Sequence, residues 1–338
     1  MTHGRDDAVR VREANGHRAG NEPARAGRPY LSYIGSGPYC YASSLSMILD
    51  PHAVAPSVVE VLTGSPFGAR LLSGGLLSFD PPGWDPGIGL DTAIDLLGWT
   101  CEHSSGGSAP QAIERLRDAS AAGPVLVGPL ELGLMLHRPG SGRPIESDHY
   151  VVVTGVEHDV VRFHDPDGYP HATLPVSDFV IAWNAETIAY NIEPYNMRAG
   201  FRAVRRVALP AAVRRSLPAA VRWLTGGEAA MSGSAACEYL AGVVATGLDD
   251  DQREHLTRFG VRVGARRLSD AATWLSRIGA TEAAQVADGQ ARLVGAIQHS
   301  LVRDYSAAMV DALCRLAPTY GRMRQALVAY LDGESADG

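Results

Sequence analysis

The apolar pattern of this chain changes once, at Leu209-Pro210, and that change limits the folds open to it. Upstream, β-branched runs alternate with Gly- and Pro-rich stretches and brief helical patterns. Downstream, Ala-rich segments with apolar residues at helical spacing follow one another. They run over Ser234 to Thr246, Asp249 to Gly260, Leu268 to Ile278, Thr281 to Val302 and Asp304 to Leu331, with a break near Pro318. Strand positions repeat every second residue and helical ones about every 3.6, so the sheet has to come from the first part and the rest forms an all-α helical bundle. For an α+β chain of 338 residues, two domains are the natural division. The expected segments are a disordered leader at 1–28, a mixed domain at 29–208, the bundle at 209–332 and a disordered tail at 333–338.

Within 29–208 the helices come first. A short apolar run, Tyr30 to Ile34, leads to Gly35-Ser36-Gly37-Pro38-Tyr39-Cys40. This turn passes directly into an amphipathic segment carrying Leu45, Ile48 and Leu49. Further helices are expected over Pro56 to Leu62, Asp91 to Trp99 and Ala109 to Arg117. A buried strand at Gly123 to Leu130 precedes an irregular insert, Glu131 to Glu146. Then Asp148 to Val156 and Val160 to Phe163 read as a hairpin around Glu157-His158-Asp159. Leu174 to Trp183 reads as a closing strand and short helix, and Thr187 to Ile192 and Ala203 to Ala208 as strands finishing the sheet. The order predicts two lobes, a helical one bearing Cys40 and an antiparallel sheet facing it.

Three residues carry the candidate chemistry. Cys40 sits at or just before a helix start, where unpaired N–H groups and partial positive charge favour thiolate over thiol. His149 begins the first hairpin strand, and Asp165 lies where the second ends in Asp165-Pro166-Asp167-Gly168. Antiparallel pairing through the turn returns Asp165 to the side of His149. A thiol nucleophile needs a base, and the base needs an acceptor to fix its tautomer; Cys40, His149 and Asp165 supply these roles in chain order.

A cysteine heading a helix, a helical middle, a His-Tyr-Val-Val-Val-x-Gly strand and a strand ending in Asp-Pro resemble the papain-like bacteriocin-processing cysteine peptidases and their relatives. The chain as a whole is most similar to the papain-like cysteine acyltransferases of the butirosin-biosynthesis BtrH type, with usable motifs from about Tyr30 to Ala208 and a similar helical pattern beyond. The resemblance implies a two-lobed papain-like fold with an appended helical domain. It implies a cytoplasmic acyltransferase of secondary metabolism that moves an acyl group from an acyl carrier protein thioester, through a Cys40 acyl-enzyme, onto a small-molecule amine or into a cyclisation. One departure weakens a peptidase reading: such peptidases carry a glutamine shortly before the cysteine, and here no glutamine precedes Cys40. Backbone N–H groups, starting with that of Cys40, are then the expected oxyanion donors. On this reading the Gly- and Pro-rich stretch 63–89 lines an apolar substrate groove, with Tyr39, Tyr41, Phe67, Phe79 and Trp84 as candidate substrate-binding side chains. The alternatives are a thioesterase- or peptidase-type hydrolase with the same triad, or a catalytically silent binding module.

Composition removes other classes. A net charge of -7 disfavours nucleic acid as the partner, and no apolar run approaches the roughly twenty residues that cross a bilayer. All 30 basic residues are arginine, so a Schiff-base lysine and a Gly-Lys-Ser/Thr phosphate loop are both excluded. The N-terminal residues lack the hydrophobic core of a secretory signal, which makes the cytoplasm the expected location. Cys40, Cys101, Cys237 and Cys314 show no metal-ligand spacing, and no cofactor is implied. His164, Asp165, Asp167 and His171 fall within one turn, but the glutamate that completes a calcium loop is missing. In the bundle, Arg266, Arg267, Arg303, Arg315, Arg322 and Arg324 could meet a carrier-protein phosphopantetheine arm, although a solvated face is the commoner role.

Overall fold

Helix α1 (Cys40–Leu49) grows straight out of the Gly37-Pro38 turn. The Tyr39 N–H donates to Gly37 O at 2.7 Å, and the Tyr39 carbonyl accepts the first helical bond from Ser43 N at 2.8 Å, so Cys40 is the first residue of the helix. The computed structural model describes residues 37–49, 54–226 and 231–336. The leader at 1–28 and the Tyr30 to Ile34 run lie outside the described residues.

Helices α2 (Pro56–Thr63) and α3 (Pro86–Leu96) complete the helical part before the sheet, and α4 (Ala109–Ala122) lies between the sheet's first two strands in chain order. Proline opens or sits in the first turn of each, where no N–H is needed. The α3 N-cap is Asp85, whose side chain accepts from Ile88 N at 2.9 Å, rather than Asp91. Between α2 and α3 the loop closes on itself through two short paired strands, β1 (Arg70–Leu71) and β2 (Leu77–Ser78).

A six-stranded antiparallel sheet follows in the order β3-β8-β4-β5-β6-β7, built from β3 (Trp99–Ser104), β4 (Val125–Glu131), β5 (Asp148–Glu157), β6 (Val160–Asp165), β7 (Tyr169–Pro175) and β8 (Met197–Ala203). The fold is therefore α+β. Every residue of central strand β4 is buried, and its register on β5 shifts between Val127 and Leu130, where Pro129 cannot donate to the ladder. Gly128 is required there because a Cβ would stand 2.4 Å from Cδ1 of Tyr150. Helix α5 (Val176–Asn184) packs Phe179 and Trp183 under the sheet.

Two sheet expectations are corrected. Ala203 to Ala208 is not a strand: β8 ends at Ala203, and beyond it Val204 N and Arg205 N both donate to Gly98 O in irregular chain. Thr187 to Ile192 is not a strand: Ile188 N and Asn191 N close successive turns onto Ala185 O and Ile188 O, and the Asn191 side chain caps Asn184 O and Ala185 O. The edge is filled instead by β3, whose half-exposed Trp-Thr-Cys-Glu-His-Ser lacks the β-branched run that marks an interior strand.

Among the described residues beyond Ala208 the regular elements are helical: α6 (Leu209–Thr225), α7 (Ser234–Thr246), α8 (Asp250–His255), α9 (Val261–Arg277), α10 (Thr281–Arg303) and α11 (Ser306–Ala336). A π turn at Leu256–Gly260 joins α8 to α9, so α9 begins seven residues before the expected Leu268. Helix α11 runs through Pro318, held by its packing on α7 and by the Ser234 hydroxyl on Ala317 O at 2.5 Å. It continues through residues 333–336, which composition alone assigned to a tail. The described residues from Gly37 onward belong to one compact unit. Ala69, Leu77 and Phe79 join the bundle's core of Leu240, Leu256, Leu268, Val294 and Leu313. No helix among the described residues is long and apolar enough to cross a membrane.

Candidate functional site

The β5/β6 hairpin sets the first half of the site. Val152 pairs with His164, so Val151 faces Asp165 and His149 lies one diagonal step away on the same face. His149 Nε2 and Asp165 Oδ1 are 2.8 Å apart, and both side chains are almost fully buried. With Asp165 taking the Nε2 proton, Nδ1 is the basic nitrogen of His149.

Asp165 also gathers partners that sequence reading missed. His137 Nε2 meets its other oxygen at 2.8 Å, Arg138 Nη1 donates to that oxygen at 3.2 Å, and the Asp167 N–H donates to Oδ1 at 2.8 Å. Arg138 also reaches Asp167 Oδ2 at 2.6 Å, and His137 lies edge-on to Phe163 and Tyr169. Burial alone would raise the Asp165 carboxyl. The hydrogen bonds from His137 and His149, the charge of His149 and the Asp167 N–H outweigh it and hold the group well below the usual carboxylate range. The available signal was a His-Arg pair inside an insert that had to fold back over the Asp165-Pro166-Asp167 turn. With Asp165 so occupied and the His171 N–H donating to His164 Nδ1 at 3.0 Å, this turn is a hydrogen-bonded corner. Among the described residues no group of three or more His, Cys, Asp or Glu side chains is arranged to hold a metal ion.

Cys40 supplies the other half. Helix α1 lies across β5: the Ser44 hydroxyl donates to Tyr150 O at 3.2 Å, and the Tyr41 and Tyr150 rings meet edge-on, 6.1 Å between centroids. The thiol is half-buried rather than open. Burial is the largest influence on it and, with the nearby Asp148 and Asp165 charges, raises its pKa well above the ordinary value; the N–H groups of Tyr150 and Tyr41 act in the opposite sense. The expectation of a thiolate near neutral pH is corrected accordingly: at this helix start burial outweighs the helix-end field. Asp148, which accepts from Tyr190 OH at 2.7 Å, is itself raised by burial.

The five side chains expected to line a groove are buried instead: Tyr39, Tyr41, Phe67, Phe79 and Trp84 are each 1–4% exposed. Trp84 Nε1 donates to Thr63 O at 2.8 Å, and Phe79 abuts Gly264 of α9, so these residues pin the 63–89 loop to its neighbours. Arg267 is 3% exposed and spent on a buried ion pair with Glu60 at 2.6 Å. An open cavity of about 340 Å³ lies instead along Tyr150 and Tyr190, with Asp85, Glu193 and Arg198 among its walls.

Residues 227–328 match the family model described as the YobF C-terminal domain. The C-terminal bundle is similar to that domain. Over 163 residues the chain is 34% identical to a protein of Bacillus subtilis (strain 168) described as "Uncharacterized protein YobF". The match covers 47% of this chain and 52% of that protein, so the chain spans about half the length of the curated relative it matches.

Proposed function

We propose that this protein is a papain-like, cysteine-dependent acyltransferase that passes an acyl group from a thioester, through Cys40, onto an amine or into an intramolecular cyclisation. The observation that carries the reading is the His149 Nε2 to Asp165 Oδ1 contact of 2.8 Å on a strand whose next residue, Tyr150, turns its N–H toward the Cys40 thiol. Asp165 fixes the His149 tautomer, and Nδ1 takes the thiol proton as sulfur attacks the acyl carbon. The tetrahedral oxyanion meets backbone N–H groups at the start of α1. Collapse expels the donor thiolate, which takes up a proton, and an amine then displaces the acyl group and restores the thiol. A thiol protonated at rest makes this base-assisted attack rather than standing nucleophilicity. The cavity along Tyr150 and Tyr190, walled by Asp85, Glu193 and Arg198, borders the residue that follows His149 and offers polar groups to a small acceptor. A thioester on an acyl carrier protein as donor, and a place in natural-product biosynthesis, follow from the resemblance to the BtrH type.

The raised Cys40 thiol also favours a second reading, a binding module that keeps the arrangement without turnover. Intact-protein mass after mixing wild type and Cys40→Ala with a panel of acyl thioesters separates the two. The acyltransferase gives an adduct of acyl mass that is absent in Cys40→Ala and is discharged faster by amines than by water. A hydrolase discharges it to water equally fast. No adduct with any donor, together with Cys40 resistant to iodoacetamide, sinks both enzymatic readings.

A further inference from the structure

Resting on the reading of Cys40 as nucleophile, we infer that helix α9 of the C-terminal bundle is a positioning element for it, because the residues flanking Cys40 are both held by α9 side chains. On one side, Tyr39 OH donates to Asp270 Oδ2 at 2.9 Å, and the Arg266 guanidinium stacks 3.7 Å above the Tyr39 ring. On the other, Tyr41 OH donates to Glu60 Oε1 at 2.5 Å, and Arg267 donates to that same oxygen at 2.6 Å and to Tyr41 OH at 3.0 Å. Tyr39 supplies the first carbonyl of α1. Anchoring the rings before and after Cys40 therefore sets the rotation of the first helical turn, and with it the direction of the sulfur toward the Tyr150 N–H.

The chemistry of the junction supports a positioning role over simple adhesion. Where α9 needs only to stick, it does so with apolar contacts through Phe79 and Leu77. At the nucleophile it uses a buried ionic network instead: Arg267 also reaches Asp80 Oδ2 at 3.2 Å and Phe79 O at 3.1 Å, and Arg70 closes on Asp80 Oδ1 at 2.5 Å. Buried ion pairs seldom stabilise more than apolar packing of the same shape, whereas their fixed geometry orients what they touch. The segment matching the YobF C-terminal domain is thereby a working part of the nucleophile's lobe.

The test uses the full chain with Tyr39→Phe and Asp270→Leu, each of which removes the Tyr39 to Asp270 hydrogen bond while keeping side-chain shape. Thr319→Val serves as control, removing the buried Gln290 to Thr319 bond of 2.9 Å inside the bundle. Two quantities are read in protein shown to be folded by its melting curve: the single-turnover rate of Cys40 acylation by S-acetyl-N-acetylcysteamine, and the midpoint pH of Cys40 alkylation by iodoacetamide. Tyr39→Phe and Asp270→Leu should slow acylation about tenfold or more, as a misplaced reacting group does. They should also move the alkylation midpoint down toward an ordinary thiol as the sulfur loses burial. Thr319→Val should lower the melting temperature and change neither quantity. Wild-type rate and midpoint in both junction variants, or equal slowing by Thr319→Val, overturns the inference. A wild type that alkylates but never acylates overturns the nucleophile reading instead, while the alkylation midpoint still reports on the positioning.

Discussion

His137 Nε2 lies 2.8 Å from Asp165 Oδ2, the oxygen that His149 leaves unused. Among the described residues the second histidine has no partner on its buried Nδ1, which fits donation through Nε2. Four donors, from His137, Arg138, His149 and the Asp167 backbone, thus converge on one carboxylate. An amide in its place turns an NH2 toward at least one of them. Asp165→Asn should therefore lower stability at pH 7 by about 2–5 kcal/mol, the usual cost of breaking one side of a buried charged network. If His149 is the base, the same substitution slows Cys40 acylation at least about a hundredfold through the wrong tautomer. The pH sign is fixed by the depressed carboxyl: its stabilisation is present above the ordinary 3.8 and is lost as pH falls below it. Urea titrations from pH 7 down to pH 3 should show an acid-side loss in wild type that is smaller in Asp165→Asn; parallel profiles would refute the assignment.

Asp270 has the opposite sign. Burial, first, and the Glu60 charge push its carboxyl up to about 7, against the Tyr39 hydrogen bond and the Arg266 charge. Folded protein then keeps this proton over a range in which unfolded protein has lost it, so stability falls as pH rises from about 4 to about 7. The gap from 3.8 to about 7 corresponds to about 4 kcal/mol at most. Asp270→Asn mimics the protonated group and should flatten that slope, gaining on wild type as pH rises toward 8. Denaturation midpoints measured at pH 5 and pH 8 decide it, and an unchanged slope means that Asp270 titrates normally.

Gly264 lets α9 approach the first domain. A Cβ there would stand 2.3 Å from Cδ2 and 2.5 Å from Cγ of Phe79, a ring that is itself buried. Gly264→Ala should therefore lose about 1–3 kcal/mol despite alanine's better helix propensity. Gly289 in α10 has open space around its missing Cβ, so Gly289→Ala should gain up to about 1 kcal/mol. Opposite shifts in melting temperature are the expected pair of results.

What could be read from sequence follows the range of the forces involved. The bundle helices and the β5/β6 hairpin announce themselves through local periodicity, and the hairpin register brings Asp165 to His149 without further information. His137 joins through an insert whose path is set by tertiary hydrogen bonds, among them Glu131 Oε1 accepting from Ile145 N at 2.9 Å, and no local pattern encodes that. The loop aromatics illustrate the same limit. Phe67, Phe79 and Trp84 look like a groove lining when only spacing is visible, and turn out to be buried, Phe79 against Gly264 of α9 and Trp84 against Tyr41. Tyr39 to Asp270 spans 231 positions, a contact only the folded chain can reveal.

The Arg267 to Glu60 pair offers the sharpest measure of how tightly the two parts of the chain are coupled. Glu60 Oε1 accepts from Arg267, Tyr41 and Ser65, at 2.6, 2.5 and 2.7 Å, while Oε2 has no partner among the described residues; Arg267 and Glu60 are buried together. Removing the cation by Arg267→Met strands a carboxylate without water, and removing the anion by Glu60→Gln leaves the guanidinium with Asp80 as its remaining carboxylate. Each single change should cost about 3–5 kcal/mol, and the double change should cost less than the sum by about 1–3 kcal/mol, because the second substitution relieves the charge left by the first. Urea denaturation of the four proteins closes the cycle. A coupling energy near zero would mean that the pair is screened by water, and that α9 is held to the Cys40 lobe by its other contacts, Tyr39 to Asp270 and Phe79 against Gly264 among them.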